Sequence, residues 1–555
     1  MPDASYDAIV IGGGANGLLS ALYLQDAGMQ TVILERNMEI GGGLCGDEVP
    51  LPGFVTNTCA TNVRFYSTPC FRDFNLGEYG LSHVFPKAGQ GMIFDDETCL
   101  VTYPLHEVVD NRTGRTERSS GNLEKTLREI SRFSERDAET AADLVERVEK
   151  KWLDAYRTYM FNPPPPWGTK DALEELLDDP VLGIEPRWSV MTGTEFIKEL
   201  FESDEMQCYF MRAIQTSTGN WPEDFMGLFN LVHTVILGLN FHPHATVKGG
   251  SHIVAHALQK AFTERGGKFF VQSEVDKVLV ENGKATGVRL VDGTVIEARQ
   301  LVVSDVDANQ TMLRFVGEDY FDHKLARKVK NIRYDRMSAA FWGTLAVHEL
   351  PKYYAESFNP DCAAMPRTLI GPKDPFYLAE IQKMECFMMG IPNKLCWYAG
   401  PDTIWDSTRA PAGKHLLQVE QYTGNRRFFS KEKWKEFRFE YPKELIRQYQ
   451  TYCPNMTEDN VIASYFDTCE ETSARNLNMV DSCVSVGAMI PSQMGRFRPI
   501  PELSGYKTPV SNLYICSAAT HVGGGIRGSC GYNAYKVMAD DFGLKKHWEV
   551  AGRAY

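Results

Sequence analysis

Three glycines near the start of the chain have the spacing of a dinucleotide-binding turn. Gly12, Gly14 and Gly17 match G-x-G-x-x-G. The first permits a tight turn, the second a close approach of the backbone to pyrophosphate, and the third close helix packing. Ala15 would begin a helix whose positive end faces that pyrophosphate. Glu35 lies 18 residues beyond Gly17 and can accept hydrogen bonds from an adenosine ribose. This pattern predicts a bound dinucleotide.

The elements that must hold these residues can also be predicted. Residues 6–11 form an apolar run with Ile and Val, which predicts a short buried strand. Residues 15–27 have an apolar side and are followed by Gly28, which predicts a helix with a C-terminal stop. Residues 31–35 predict a second strand that ends on the acid. Because strand, turn, helix and strand follow one another in a βαβ-sized unit, an accidental glycine loop is disfavoured.

A second glycine group follows the acid and narrows the ligand. After Glu35 and Arg36 comes the triplet Gly41, Gly42 and Gly43. Flavoproteins of the glutathione-reductase-like type often carry such glycines, so that the chain can pass close to the ribityl and phosphate portions. Nicotinamide domains usually do not need them. The triplet therefore favours FAD over NAD, and a flexible loop is the alternative interpretation.

Length and composition exclude several classes of protein. The 555 residues predict two or three domains. The net charge of −14 argues against a nucleic-acid partner. The 13 cysteines form no CxxC pair and no metal-ligand spacing, so we expect reduced thiols, no metal site and a cytoplasmic protein. Neither a signal-peptide pattern nor an apolar run long enough to cross a bilayer is visible.

The region after the first motif is predicted to be helical. A charged stretch from about Ser119 to residue 161 has apolar positions three or four apart, which is typical of helices with a solvated face. Four prolines at 163–166 end it. Residues 225–241 are apolar on nearly every side, so we expect them in a core or along an apolar pocket.

The later central region has mixed signals. Residues 247–307 predict a helix, a strand and then hairpins. The run that starts at Met337 predicts a further strand. Met384, Met388 and Met389 are expected in the core or around an adaptable apolar cavity.

The C-terminal region has the same order of elements as the first motif, a strand followed by glycines and a helix. A predicted strand at 513–516 leads into Thr520 and His521, then into glycines 523–525, and a helix begins near Gly531. Such a segment presents a helix N-terminus and accessible backbone to a flat or anionic ligand.

Together these segments resemble the phytoene-desaturase-like FAD oxidoreductases, a group that includes bacterial carotenoid desaturases and retinol saturase. The resemblance lies in the fingerprint with its second glycines, in KGGSHIVAHAL, GKATGVRLVDG and ARQLVVSDVD, and in the terminal THVGGG. The chain departs from the family at Val522, where proline is common, and at Leu44, where arginine is often found. Because these departures line the expected flavin site, a carotenoid substrate is not carried over.

The resemblance implies an α/β fold with mixed α+β character. A glutathione-reductase-like Rossmann FAD domain would be discontinuous, with an inserted substrate domain of mixed sheet and helices. The FAD domain would comprise residues 1–70, 245–315 and 481–555. The substrate domain would comprise residues 71–244 and 316–480. Apolar segments of the insertion would cover the isoalloxazine, and substrates would reach it through a largely apolar tunnel.

The residues expected to contact FAD come from all three segments of that domain. The backbone of Val275, at the start of the hairpins, would contact the adenine side. The full set is Gly12, Gly14, Ala15, Gly17, Glu35, Arg36, Gly41, Gly42, Leu44, Val275, Thr520, Gly524 and Gly525.

The activity implied by the resemblance is dehydrogenation of a hydrophobic small molecule, such as a cyclic ketone, a terpenoid or an isoprenoid, to form a C=C bond. A flavin amine oxidase and a redox-neutral flavin isomerase are alternatives. A non-catalytic lipid-binding protein of the Rab-escort type is an alternative of another class. The expected electron acceptor is oxygen or a quinone rather than NAD. Peripheral membrane contact is left open for a lipophilic substrate, and the sequence does not indicate an oligomeric state.

Three residues of the C-terminal segment are candidates for catalysis. His521 and Tyr532 are candidate bases for the departing proton, and Arg527 is a candidate to fix a carbonyl or carboxylate. The alternatives are that His521 holds its loop by hydrogen bonds, that Tyr532 packs the helix, and that Arg527 contacts the cofactor.

Overall fold

The computed structural model describes residues 2–61, 63–111, 113–334 and 339–555. The strands, in chain order, are β1 Ala4–Ile11, β2 Thr31–Leu34, β3 His83–Val84, β4 Gln90–Phe94, β5 Cys99–Val101, β6 His106–Asp110, β7 Arg115–Arg118, β8 Thr246–Val247, β9 Lys268–Phe270, β10 Val275–Glu281, β11 Lys284–Leu290, β12 Val295–Ser304, β13 Ala339–Val347, β14 Arg367–Gly371, β15 Trp397–Gly400, β16 His415–Thr423, β17 Val461–Asp467 and β18 Leu513–Ile515.

The helices lie between these strands and at the C-terminal end of the chain. They are α1 Ala15–Asp26, α2 Pro69–Asp73, α3 Ser120–Ser131, α4 Glu135–Arg147, α5 Leu153–Met160, α6 Gly193–Leu200, α7 Asp204–Thr218, α8 Gly227–Gly238, α9 His252–Glu264, α10 His323–Lys330, α11 Gln382–Met389, α12 Lys431–Tyr449, α13 Cys469–Arg475, α14 Ser529–Phe542 and α15 His547–Val550.

The first large sheet is assembled from three separated parts of the chain. Its strand order is β10-β11-β12-β1-β2-β9, and β18 pairs with β12. The pairs β12–β1, β1–β2, β2–β9 and β12–β18 are parallel, whereas β10, β11 and the start of β12 form antiparallel hairpins. This is the α/β, Rossmann-type sheet that the fingerprint predicts. The exact domain boundaries stay a prediction.

The βαβ unit at the N-terminus forms because every local signal agrees. The last four residues of β1 and all of β2 are buried apolar or β-branched residues, which suit parallel strands covered on both faces. Gly12 takes a φ of +96°, which an L-residue rarely adopts, and so permits the turn into α1. A Cβ on Gly14 would lie 2.5 Å from Asp305 Oδ2, so only glycine lets this turn pack against Asp305. The fingerprint glycines are therefore required by the geometry of the turn.

The second large sheet carries the inserted region. Its order is β17-β13-β16-β15-β14-β4-β5, antiparallel except for β14 beside β4. Helix α12 covers it with Trp434, Phe437 and Tyr441, which join Phe341 and Trp397 of the strands in one apolar cluster. The mixed sheet and helices predicted for the insertion are thus observed.

The structure tests the predicted strand at Met337 and the predicted burial of three methionines. The strand predicted from Met337 is observed as β13 from Ala339, while Met337 itself lies outside the described residues. The methionines expected in a core or cavity are instead exposed on α11, with Met388 75% and Met384 57% accessible. The i, i+4 spacing of Met384 and Met388 places them on one helix face, but the second sheet packs against the other side.

The described part of the chain contains no helix with the length and hydropathy of a membrane span.

Candidate active site

A cavity of about 540 Å³ opens where the first sheet presents its strand ends. It is lined by the fingerprint turn, the loop after β2, the start of β10, the end of β12, residues 474–486 and the C-terminal glycine segment. The expected cofactor residues that line it are Gly12, Gly14, Ala15, Glu35, Arg36, Gly42, Val275 and Gly525. The expected residues that lie behind this surface are Gly17, Gly41, Leu44, Thr520 and Gly524.

Contacts of the second glycine group hold the backbone around the cavity in place. Gly41 donates its N–H to the carbonyl of Gly13 at 2.8 Å, which docks the second glycine group onto the fingerprint turn. A Cβ on Gly42 would lie 3.1 Å from Gly14 Cα, so this contact requires a small residue. Leu44 is fully buried in the main apolar core. The two glycine motifs therefore form one continuous backbone cradle.

Glu35 stands at the tip of β2, as the sequence predicts. Its Oε2 accepts the N–H of Gly13 at 2.8 Å and its Oε1 accepts the N–H of Asn37 at 2.8 Å. A carboxylate has about four acceptor sites, so it retains capacity for two further donors such as ribose hydroxyls. The neighbouring Arg36 is exposed and donates to Asn37 Oδ1 at 3.3 Å.

Asp305, which sequence reasoning did not single out, lies under the fingerprint turn. Burial raises the pKa of its carboxyl to about 8, although hydrogen bonds from the backbone N–H groups of Gly17 and Gly14 oppose that shift. At neutral pH the group is therefore mostly protonated. A neutral acid at this place lets a diphosphate approach the turn without like-charge repulsion.

Arg498 holds the two loops that close the cavity opposite the fingerprint, and sequence reasoning missed it as well. Its fully buried guanidinium donates from Nη2 to the carbonyl of Ser485 at 2.7 Å and to that of Ala518 at 2.9 Å. Its Nε donates to the carbonyl of Thr520 at 3.0 Å. A buried arginine that bonds to so many carbonyls fixes the C-terminal glycine segment against residues 485–488.

Of the three candidate catalytic residues, Arg527 lines the cavities. It borders the first cavity and also a second one of about 410 Å³. Gly525, Ile526 and Arg527 line both cavities, so this segment forms a wall common to the two.

His521 and Tyr532 are buried away from both cavities. The Nε2–H of His521 donates to the carbonyl of Tyr159 at 2.8 Å, and burial lowers the pKa of its imidazole to about 4. Tyr532 lies on α14 and packs its ring against Tyr23 and Trp548. These contacts are those of a loop anchor and of helix packing. A catalytic part for either residue stays a prediction.

The second cavity is not the largely apolar tunnel expected from the resemblance. Ser67, Arg72 and Arg115 stand at its exposed end, while Tyr156 and His233 lie buried at its inner end. Apolar residues such as Ile236 and Leu237 alternate with arginines along its wall. The arginines are Arg64, Arg72, Arg115, Arg157, Arg367 and Arg527. The insertion therefore offers a passage of mixed character that leads from the surface to Arg527.

A chain of hydrogen bonds joins Arg527 to the inserted helices. Its Nη2 donates to Nε2 of His233 at 2.7 Å, and Nδ1 of His233 lies 2.8 Å from the hydroxyl of Tyr156. Because arginine only donates, Nε2 must be the acceptor and Nδ1 carries the proton. Burial, with the charge of Arg527 next, keeps the pKa of His233 well below its ordinary value, so the ring is neutral. The sequence places His233 in an apolar segment, and no local pattern predicts its hydrogen bond with Arg527.

An apolar cluster reaches the first cavity from the second sheet. Met479 lines the cavity and packs in one cluster with Trp221, Trp342 and Tyr422. A Cβ on Gly43 would lie 3.7 Å from Met479 Cε, so the glycine loop and this cluster are in contact distance.

One group of side chains near the first cavity has the composition of a metal site. Candidate ligand atoms of Glu39, His252 and His256 all lie within 4.8 Å of one another. The two histidines are four residues apart on α9, a spacing that sequence reasoning did not use. Glu39 is exposed, and Nε2–H of His252 already donates to the carbonyl of Ile40 at 3.0 Å. An exposed carboxylate beside two histidines is also an ordinary hydrogen-bonding arrangement, so no metal is assigned.

The first cavity fits a flavin dinucleotide. The fingerprint turn presents a helix N-terminus to a pyrophosphate, and side chains at Gly14 or Gly42 would fill the cradle. Glu35 remains available to a ribose, and the cavity continues from there to Met479 and Ile526. Arg527 contributes a buried Nη1 that has no partner among the described residues.

Comparisons with known proteins support the assignment of a flavin cofactor. The model of the family "Flavin containing amine oxidoreductase" matches residues 16–312. A limonene dehydrogenase subunit from Castellaniella defragrans is 26% identical over 98% of this chain and 96% of its own. Phytoene desaturase (neurosporene-forming) of Rhodobacter capsulatus is 23% identical over 94% of this chain and 91% of its own.

A solved structure agrees in fold. An oxidoreductase from Methanosarcina mazei superposes with a TM-score of 0.60 at 18% identity, covering 96% of this chain and 99% of that one. Such identity supports the fold alone. The family match and the relatives confirm the predicted resemblance to phytoene-desaturase-like enzymes, and they set aside the non-catalytic alternative. The chain belongs to the flavin-containing amine oxidoreductase family and is an oxidoreductase whose cofactor is FAD.

Proposed function

We propose that this protein is an FAD-dependent dehydrogenase that removes a hydride and a proton from a hydrophobic small molecule and forms a C=C bond. A cyclic ketone, a terpenoid or an isoprenoid is the proposed substrate. The observation that carries the proposal is that Gly525, Ile526 and Arg527 line both cavities. A substrate in the second cavity would therefore lie one segment of the chain away from the cofactor cavity. The relatives named for limonene dehydrogenation and phytoene desaturation support this reaction class.

FAD, when bound, accepts the hydride, and the proton leaves the neighbouring carbon separately. The chain must then orient the substrate, exclude water and weaken that second C–H bond. Met479 lines the cofactor cavity and belongs to one apolar cluster with Trp221, Trp342 and Tyr422, which would help to exclude water from this side. Dry surroundings strengthen the electrostatic contacts made inside the site.

Arg527 is proposed to polarise the substrate. Its Nη1–H is buried without a partner among the described residues, so it can donate to a carbonyl beside the reacting carbon. That contact would acidify the neighbouring C–H bond. His233 is proposed as a positioning residue, because its neutral Nε2 accepts from Nη2 of Arg527 and fixes the guanidinium. His521 and Tyr532 remain proposed proton acceptors, to be tested by substitution.

The charge of the second cavity weighs against the amine-oxidase alternative. An alkyl ammonium substrate would have to pass arginines that form no ion pair with a described carboxylate, including Arg64, Arg157 and Arg367. Like charges at close range disfavour such a ligand. Oxygen or a quinone, rather than NAD, is the proposed electron acceptor.

The test is anaerobic mixing of the holoenzyme with cyclic ketones, terpenes, carotenoids and amines while the oxidised flavin absorbance is followed. We expect bleaching with a non-amine substrate and a product lighter by two hydrogen atoms in mass spectrometry. Bleaching by amines alone would overturn the proposal in favour of amine oxidation. Isomerised product without bleaching would overturn it in favour of a redox-neutral isomerase. Admission of oxygen or a soluble quinone then identifies the acceptor by the return of absorbance.

A further inference from the structure

The inner wall of the second cavity carries four arginines from four distant parts of the chain. They are Arg64 in the loop before α2, Arg157 on α5, Arg367 at the start of β14, and Arg527. We infer that the substrate bears an oxyanion, a carboxylate or a phosphate, which these arginines bind while its hydrophobic part lies against the apolar residues of the same cavity wall. This inference rests on the proposed function and names its substrate class as amphipathic anions.

The four positive charges are not neutralised inside the described protein. In the residues that the structure covers, none of Arg64, Arg157, Arg367 and Arg527 forms a salt bridge, whereas most other half-buried arginines do. Their side-chain contacts are to neutral groups. Arg64 Nη2 lies 3.2 Å from Nδ1 of His244, and Arg367 Nη2 donates to the carbonyl of Thr216 at 3.3 Å. Half-buried guanidinium groups without a counter-charge are costly to a fold, which points to a ligand that supplies the charge.

Two further donors of this cluster are unused. Nε of Arg64 and Nε of Arg367 are buried and have no hydrogen-bond partner in the described part of the chain. A buried donor that lacks a partner is destabilising. Carboxylate and phosphate oxygens match guanidinium N–H groups in geometry and charge, so one such group could satisfy both donors.

The histidines beside the arginines keep the cluster's charge on the arginines alone. Burial, followed by the charges of Arg527, Arg64 and Arg367, lowers the pKa of His233 well below its usual value. Burial with Arg157 and Arg64 does the same to His242. These rings are therefore neutral at physiological pH. The arginines stay charged because a guanidinium is not deprotonated under these conditions.

The cavity wall also carries apolar residues. Tyr66, Phe161, Ile236 and Leu237 line it together with the arginines. At the exposed end, the charge of Arg115 is already paired with Glu117 at 3.0 Å. The inner arginines are half-buried and form no salt bridge with a described carboxylate, so an anion fits beside them, and the apolar residues fit the hydrocarbon part of the same molecule.

The anion in question is not the diphosphate of FAD. That group belongs at the fingerprint turn in the first cavity, which Arg64, Arg157 and Arg367 do not line. Of the four arginines, only Arg527 borders both cavities. The second cavity therefore needs an anion of its own, delivered with the substrate.

The test measures binding to the oxidised holoenzyme rather than turnover. Decanoate, decyl phosphate and decanol share an alkyl chain and differ in their head group, and each is titrated while the flavin absorbance spectrum is recorded. We expect at least one of the two anions to bind ten-fold or more tightly than decanol. Whichever of decanoate and decyl phosphate binds tighter identifies the source of the oxyanion. Equal binding of all three compounds, or tighter binding of decanol, overturns the inference.

Substitutions of the cavity arginines test whether the anion binds in the second cavity. Arg367→Gln and Arg157→Gln should each weaken binding of the preferred anion at least ten-fold and change decanol binding less than two-fold. Arg136→Gln is the matched control, because Arg136 is 82% exposed and lies on α4 outside the cavity. Flavin content and thermal midpoint are recorded for each variant. If one variant fails to retain flavin, the other decides. Unchanged anion affinity in a flavin-loaded variant overturns the inference.

Failure of this inference can be told apart from failure of the proposed function. Tight anion binding that depends on Arg367, together with no bleaching by any compound, would retain the anion site and refute dehydrogenation. Bleaching by neutral terpenes or ketones, with no preference for the anions, would retain dehydrogenation and refute the anion site.

Discussion

The Nη2 of Arg527 donates to Nε2 of His233 at 2.7 Å and so joins the C-terminal glycine segment to helix α8 of the inserted region. The two residues are 294 positions apart in the chain. Through this bond the segment that borders the FAD cavity is tied to a wall of the second cavity. Substitution of either residue should therefore affect both the FAD cavity and the second cavity.

The first prediction follows from the electrostatics of this pair. Burial contributes most to the low pKa of His233, and the charge of Arg527 comes next. Arg527→Gln removes that charge, so the pKa of His233 should rise toward its ordinary value. Protonated His233 cannot accept a hydrogen bond. The rate of flavin reduction should then fall at acidic pH in a range where the wild-type rate is flat.

Arg527→Lys is the control for that prediction. It keeps the positive charge and loses the forked donors, so the rate should fall at all pH values without a new acidic limb. Stopped-flow measurement of flavin reduction between pH 5 and 9 compares the two variants. An acidic limb of the same size in both would refute the electrostatic explanation.

The second prediction concerns Asp305. Burial raises the pKa of its carboxyl to about 8, against about 4 for an unfolded aspartate. Between these values the folded state binds more protons than the unfolded state, so the stability of the apoprotein should fall as pH rises from about 4 to 8. Above pH 8 the ionised group also repels the FAD diphosphate, and FAD affinity should decrease.

Asp305→Asn has the same shape and does not titrate. The free energy of unfolding of the variant, measured with urea, should increase relative to that of the wild type as pH rises from 5 to 8. Its FAD affinity, measured by fluorescence quenching, should not show the decrease above pH 8. Parallel pH curves for the two proteins would mean that Asp305 is already ionised in the fold.

The elements around the fingerprint could be predicted because their signals are local. Strand β1 ends at Ile11 as expected, and Gly12 adopts the positive φ that its turn requires. The second glycine group and the hairpins after Val275 were likewise predicted, because each depends on residues close together in the chain. Local signals thus predicted these elements of the FAD half, whereas Asp305 and Arg498 were missed because each meets its partners only in the folded chain.

The other half depends on residues that no sequence pattern brings together. The four arginines of the second cavity come from a loop, from α5, from β14 and from the C-terminal glycine segment, so they meet only in the folded chain. In the sequence, Arg157 belongs to a helix whose charges look like an ordinary solvated face. The same limitation explains the error at Met388, because the i, i+4 spacing defines a helix face without saying which face is buried.

The third prediction separates two roles of His521. Burial lowers its pKa to about 4, and its Nε2–H donates to the carbonyl of Tyr159. An unfolded histidine binds a proton below about pH 6.5, so wild-type stability should fall as pH drops from 6.5 to 4. The total loss should be about 3 kcal/mol, from about 1.4 kcal/mol per unit of pKa difference.

His521→Gln keeps an N–H donor and removes the titration. Its unfolding free energy, measured with urea, should lack that acid-side loss. If His521 only holds the loop, turnover of the variant should stay within about three-fold of the wild type. If His521 is the base, turnover should fall by about a hundred-fold or more, the usual contribution of a general base.

The fourth prediction tests the cradle itself. A Cβ on Gly14 would lie 2.5 Å from Oδ2 of Asp305, so Gly14→Ala must push the turn away from Asp305 or into the space of the diphosphate. FAD affinity should fall at least about ten-fold, which corresponds to about 1.4 kcal/mol. Gly121→Ala is the matched control, because no atom lies within 4 Å of a Cβ at this position of α3. There alanine should slightly stabilise the helix and leave FAD affinity unchanged. Equal FAD affinity in both variants would show that the diphosphate does not lie at the fingerprint turn.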